Sequence, residues 1–384
     1  MTMIVTMIFV DMIRNNEDRD DDKNRPRIET RIVTMIGTDE DRDEDKMIKA
    51  VHYQITDPGT RWIKDAEIAV DSDGPLDADR VLTPNVIKVE GGYRMYYHGF
   101  GPERPNPDSK GYILSAFSTD GGNWKKEPGV RLDAGGEGAE HYIWAPDVIP
   151  LPGGGYRMYV EGRTEQAAGG ARSAIVSARS DDGLVWEREP GVRLGSEHAS
   201  YGAPRCLYLD PGPDGQSSRF RLYVSTSPFP SGAPRNIVSA VSDDGLQFEL
   251  EPGVRIPQET EMESYQVYAP EVLRLGDGGY RIYYAGWVAA PEVPAGSKFH
   301  GRIFSATSRD GLDWRKDPGI CIDNGGRWDA AKASEPCVID LPDGRFRMFY
   351  EACDLKGRWR IASATSGSRA EHSADSGIAQ NGDR

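Results

Sequence analysis

The sequence lacks any run of apolar residues approaching the roughly 20 that a membrane-spanning helix needs. It also lacks a cationic excess: 61 acidic against 46 basic residues leave a formal charge of −15, which repels the phosphates of nucleic acids and anionic membrane surfaces. Neither nucleic acid nor membrane is expected as a partner, whereas a neutral carbohydrate fits that balance. Cysteine is scarce, with four residues (Cys206, Cys321, Cys337, Cys353) and no C-x-x-C or other tight metal spacing. They read as small buried residues in a reducing compartment. The opening "MTMIVTMIFV" lacks a basic leader and an A-x-A-like cleavage site, so a cytoplasmic location is expected.

The two ends lack the patterning of a packed core. Residues 1–58 contain a charge-rich duplication, "IVTMIFVDMIRNNEDRDDDKNR" echoed by "RIVTMIGTDEDRDEDKMIK", and are predicted to be disordered or upstream of a start near Met47. The tail, 367–384, is likewise predicted to be disordered.

What is abundant is glycine (44) and proline (26), which suit short strands and turns. A proline opening an apolar strand recurs at Pro84, Pro146, Pro204, Pro270 and Pro336, at intervals of 62, 58, 66 and 66 residues. Each is followed by a second strand ("GYRMYYHG", "GYRMYVEG", "RFRLYVST", "GYRIYYAG", "RFRMFYEA") and then a third ("ILSAFSTDG", "IVSARSDDG", "IVSAVSDDG", "IFSATSRDG", "IASATSGS"). A fourth carries an aromatic and an acid, as in "WKKEPGVRL", but is missing after the last repeat. "WIKDAEIAV", 62–70, supplies it from the front. Repeats of four antiparallel strands predict an all-β fold, a five-bladed β-propeller over 60–366 whose ring is closed by this N-terminal strand.

The repeat also separates structural from functional residues. Arg94, Arg157, Arg221, Arg281 and Arg347 occupy one position in all five second strands and are expected to serve the scaffold. The residue after each proline differs every time: Asn85, Asp147, Arg205, Glu271, Cys337. On strands that line a central channel, this divergence predicts one asymmetric site at the mouth where the long loops open. Nearby candidates are Asp79, Glu335, the strand ends Glu161, Arg163, Trp287 and Glu351, the loop histidines His98 and His141, and the possible sugar platforms Trp144, Tyr201 and Tyr268. Several acids around one channel raise each other's pKa values and are costly unless used.

"WAPDV" followed by "GYRMYV" resembles the five-bladed propeller glycosidases of glycoside hydrolase families 43 and 32 and their relatives. The resemblance implies carboxylate acid/base catalysis on a small glycan or furanoside. Asp147 would tune the acid, Glu271 in "YAPEV" would be the acid with Glu335 in "SEPCV" its rival, and Asp79 would compensate for the first repeat. There "LTPNV" departs from the families, with Thr83 where they carry an aspartate. The chemistry requires no cofactor, and a channel metal ion such as calcium is compatible with it. Two further readings are a mannoside phosphorylase-like enzyme and a non-catalytic carbohydrate-binding propeller.

Overall fold

The computed structural model describes residues 4–12, 28–36, 55–103, 111–163, 172–209, 219–230, 232, 235–291, 293 and 298–366. The expectation for 367–384 lies outside them. The chain divides into two units, Met1–Val51 and His52–Arg384. In the first, the duplicated stretches form strands Ile4–Met12 and Ile28–Ile36, which pair antiparallel with Ile4 opposite Ile36.

The second unit is the repeat. Its first strands are Arg80–Val89, Tyr142–Pro150, Ala199–Leu209, Gln266–Arg274 and Lys332–Asp340, numbered here as repeats 1 to 5. Each pairs antiparallel with a second strand, which pairs with a third. Each first strand touches that of the next repeat, and the fifth touches the first, so the five surround a common axis. Short fourth strands complete repeats 1 to 4, for example Lys125–Lys126 and Trp314–Lys316. In repeat 5 the fourth strand is Trp62–Lys64, with Ala364 opposite Lys64 and a further bridge between Val70 and Ile361. The all-β expectation and the front-end closure both hold.

The repeated arginines show why the scaffold keeps them. Arg94 pairs with Glu127 at 2.9 Å, Arg157 with Glu189 at 2.8 Å, Arg221 with Glu251 at 2.9 Å and Arg281 with Asp317 at 2.5 Å. Each partner is the acid that follows the fourth-strand aromatic. In repeat 5 the acid is Asp65, 3.3 Å from Arg347, delivered by the closing strand.

The same arginines also tie neighbours together. Arg94, Arg157 and Arg221 donate to the carbonyls of Asp182, Asp244 and Asp310, in the Asp-Gly turn of the next repeat. Tyr96, Tyr159 and Tyr223 reach the adjacent glycine carbonyls at 2.8–2.9 Å. Repeat 5 has no Asp-Gly turn after its third strand. Asp57 and Gly59 replace it, binding Arg281 and the Tyr283 hydroxyl. The stretch 57–65 thus supplies both a missing turn and a missing strand.

Each first strand slips register at its proline, between Leu82 and Asn85 in repeat 1 and at the equivalent positions of the others. The residue before the proline takes a positive φ in all five: Thr83 (53°), Ala145 (48°), Ala203 (47°), Ala269 (50°) and Glu335 (54°). That conformation is costly for a residue with a side chain, by about 1–2 kcal/mol. Three repeats use alanine there, and the three methyl groups cluster against Trp144 and Tyr268. Thr83 and Glu335 are larger, and strain retained with a polar side chain often marks a functional position.

Candidate active site

The bulge decides which residues face the axis and which face the loops. The residues after the prolines converge, but on one another. Val148 N–H donates to Asn85 Oδ1 at 3.0 Å, Cys206 N–H to Asp147 Oδ2 at 2.7 Å and Val338 N–H to Glu271 Oε1 at 2.8 Å. Val86 N–H points at Cys337 Sγ at 3.2 Å, and Asn85 Nδ2 donates to Asp147 Oδ1 at 3.1 Å.

Arg205 fills the centre. Its guanidinium donates to Glu271 Oε2 at 2.8 Å and to the carbonyls of Pro84, Pro146, Pro204 and Pro336 at 3.1–3.4 Å. Asp147 lies 4.0 Å away. Burial pushes the Asp147 carboxyl up to about 7, against the pull of Arg205 and the Cys206 N–H. Burial raises Glu271 too, again opposed by Arg205. Burial disfavours the charged form of Arg205, but Glu271 and Asp147 outweigh it and raise the guanidinium.

This geometry corrects the reading of Asp147 and Glu271 as residues of an open site. Neither lines the cavity described below, nor do Asn85 and Arg205. Their divergence has a packing cause. One axis has room for one guanidinium, and the residues around it must then supply its counter-charge and cap the next repeat's backbone.

A cavity of about 410 Å³ opens on the loop side of this plug. The residues four and two places before the prolines reach it, as the two-residue period of a strand requires: Arg80, Ser200, Gln266 and Lys332, then Leu82, Trp144, Gly202 and Tyr268. The ends of the second strands add Glu161, Arg163, Trp287 and Glu351. The bulged Thr83 and Glu335 complete the floor, and Tyr201 stands in the wall.

Three carboxylates therefore meet in the cavity. The buried Glu335 Oε2 has no hydrogen-bond partner among the described residues. Burial, then the adjoining Glu351, then Glu161 push its carboxyl well above the usual range, while Lys332 pulls the other way. Lys332 Nζ is 2.9 Å from Glu351 Oε1, both side chains are almost wholly buried, and the ammonium lies 3.5 Å from the Trp287 ring centre. Trp287 is fixed in turn by a 2.9 Å bond from Nε1 to Ser334 Oγ.

Glu161 is held separately. Its Oε2 accepts from the Tyr268 hydroxyl at 2.8 Å and from Ala203 N–H at 3.1 Å. Its Oε1 is 3.9 Å from Arg163 Nε, whose guanidinium stacks over Trp144 at 4.8 Å. Gly202 leaves room for this carboxylate: a β-carbon there would sit 2.1 Å from Glu161 Oε2.

Of the remaining candidates, Asp79 is exposed and does not line the cavity. His98 occupies the position of Glu161 and Glu351 in repeat 1 but is buried against Tyr142 and Trp144, and burial pushes its imidazole down to about 3. His141 does not line the cavity. Arg80, Ser200, Gln266 and Lys332 were missed. Their signal was in the sequence, since the position four before each proline reads Arg, Tyr, Ser, Gln, Lys. Among the described residues, no group of three or more His, Cys, Asp or Glu side chains is arranged to hold a metal. The four cysteines are free and buried.

No family model matches the chain. An uncharacterized protein of Mycobacterium tuberculosis, MT1551, is 31% identical over 131 residues, 33% of this chain. The chain spans about 40% of the length of the curated relatives it matches. A solved structure described as a glycoside hydrolase superposes with a TM-score of 0.62 at 16% identity, over 86% of this chain and 96% of the other. A thermostable family-43 glycoside hydrolase does so at 0.57 and 17% identity, over 76% and 90%. The fold is thus that of the propeller glycosidases.

Proposed function

We propose that this protein is a glycosidase whose acid is Glu335 and whose base or nucleophile is Glu161. One observation carries the reading: Glu335, in a strained bulge and close to Glu351, lines a cavity that also contains a second, separately held carboxylate, Glu161. Cleaving a glycosidic bond needs such a pair. In the proposed reaction Glu335 gives its proton to the leaving oxygen as the C–O bond breaks. Glu161 assists attack at the sugar carbon, directly or by taking a proton from water. Lys332 fixes Glu351, and that carboxylate keeps the proton on Glu335 between turnovers. Trp144, Tyr201, Tyr268 and Trp287 line the cavity in which a sugar would bind. The similar fold of solved glycoside hydrolases supports the reaction class, and the substrate is accordingly a carbohydrate.

The test is hydrolysis of a panel of 4-nitrophenyl and alkyl glycosides. Glu335→Gln should lower kcat by about 10²–10⁴-fold on alkyl glycosides, whose leaving groups need the proton. It should lower it much less on 4-nitrophenyl glycosides. Equal losses on both classes would remove Glu335 from the role of acid.

A further inference from the structure

The cavity's charge balance runs against that of the chain. Its lining carries four basic side chains (Arg80, Arg163, Arg235, Lys332) and three acidic ones (Glu161, Glu335, Glu351), in a protein of net charge −15. Lys332 is matched by Glu351, and Arg163 stands 3.9 Å from Glu161. Arg235 stacks on Tyr265, 5.1 Å from the ring centre. Arg80 opens the first strand of repeat 1, is exposed, and forms no hydrogen bond or ion pair through its side chain with any described residue.

Arg80 and Arg163 line the same cavity. Arg80 stands at the position that Tyr142 takes in the neighbouring first strand, and Tyr142 is paired with Arg163, which lies over the rings of Tyr142 and Trp144. The wall therefore presents positive charge. An uncharged sugar needs no guanidinium, whereas a carboxylate matches its planar fork.

We propose that the glycan taken by this site carries an acidic substituent, a uronate carboxylate, bound between Arg80 and Arg163. This rests on the glycosidase reading but uses neither its acid nor its base. Positive charge beside the cavity would also draw an anionic ligand toward a chain that otherwise repels it.

The test uses the full chain and matched 4-nitrophenyl glycosides, glucose against glucuronate and galactose against galacturonate, as both anomers. Each is run with and without inorganic phosphate, and binding of the free sugars is followed by tryptophan fluorescence. The acidic member of at least one pair should be preferred by about tenfold or more in kcat/KM, and added salt should erode the preference. Arg80→Met should collapse that ratio. Arg309→Ala, in an exposed turn of repeat 4, should preserve it. A neutral sugar preferred in every pair, or a ratio untouched by Arg80→Met, overturns the proposal. So does acceleration of the neutral glycosides by phosphate that Arg80→Met abolishes, because the oxyanion is then a co-substrate. If no glycoside turns over, the glycosidase reading fails, and binding decides this one. A free uronate must then bind about tenfold more tightly than its neutral counterpart and lose that advantage in Arg80→Met, and equal binding overturns the proposal.

Discussion

Arg205→Met removes the centre of the molecule's axis while keeping much of its volume. The substitution deletes the 2.8 Å pair with Glu271 and leaves four proline carbonyls without their donor. It also leaves Asp147 and Glu271 buried with no cation, their side chains only 6% and 8% exposed. Breaking a buried ion pair from one side costs about 3–5 kcal/mol, a large share of the roughly 5–15 kcal/mol that holds a typical domain folded. The loss should depend on pH. A carboxyl whose folded pKa is raised contributes stability that is fully present below its unfolded value and is lost as pH rises through the folded value. In the native protein Asp147 does so between its ordinary 3.8 and about 7. Without Arg205 both carboxyls move further up, so the gap between variant and wild type should widen from pH 5 to pH 8. Equilibrium denaturation in urea at the two values measures it. Arg205→Met combined with Glu271→Gln should recover part of the loss. A cost below about 1 kcal/mol, or one independent of pH, would refute the assignment of this network as a buried structural plug.

Three further outcomes are expected. Gly202→Ala would force Glu161 Oε2 off its bonds with Tyr268 and Ala203, so kcat should fall by about tenfold or more while thermal stability changes little. Glu351→Gln removes a charge that raises Glu335, so the basic limb of the kcat/KM profile should move to lower pH. Lys332→Met removes the opposing cation and should move the same limb to higher pH, which a pH titration of activity on one aryl glycoside will reveal.

Much of the fold was legible in the sequence because each repeat states it again. Five arginines at one position, each with a fourth-strand acid, could only be scaffold, and the misplaced copy of that acid at Asp65 pointed to the closing strand. The site was less legible because alternation along a strand does not reveal a bulge. One extra residue at each proline sends the next side chain to the axis and the preceding one to the cavity. Asp147 and Glu335 therefore exchanged importance, although they occupy the two positions that flank the repeat's proline. That carboxylates pair with Arg205 across the channel was one reading of the sequence, but which ones do so was not legible for a different reason: Arg205, Asp147 and Glu271 stand on three strands, 58 and 66 residues apart, and meet only when the ring closes.

The central claim is that chemistry resides at the bulge and the second-strand ends, above an axial network that only holds the ring together. The most direct measurement compares Glu335→Gln with Asp147→Asn on one alkyl glycoside, with kcat expressed per folded molecule. The account predicts that Glu335→Gln loses about 10²-fold or more, while Asp147→Asn loses stability and keeps kcat within a few-fold. The reverse pattern, activity abolished in Asp147→Asn and intact in Glu335→Gln, would contradict it.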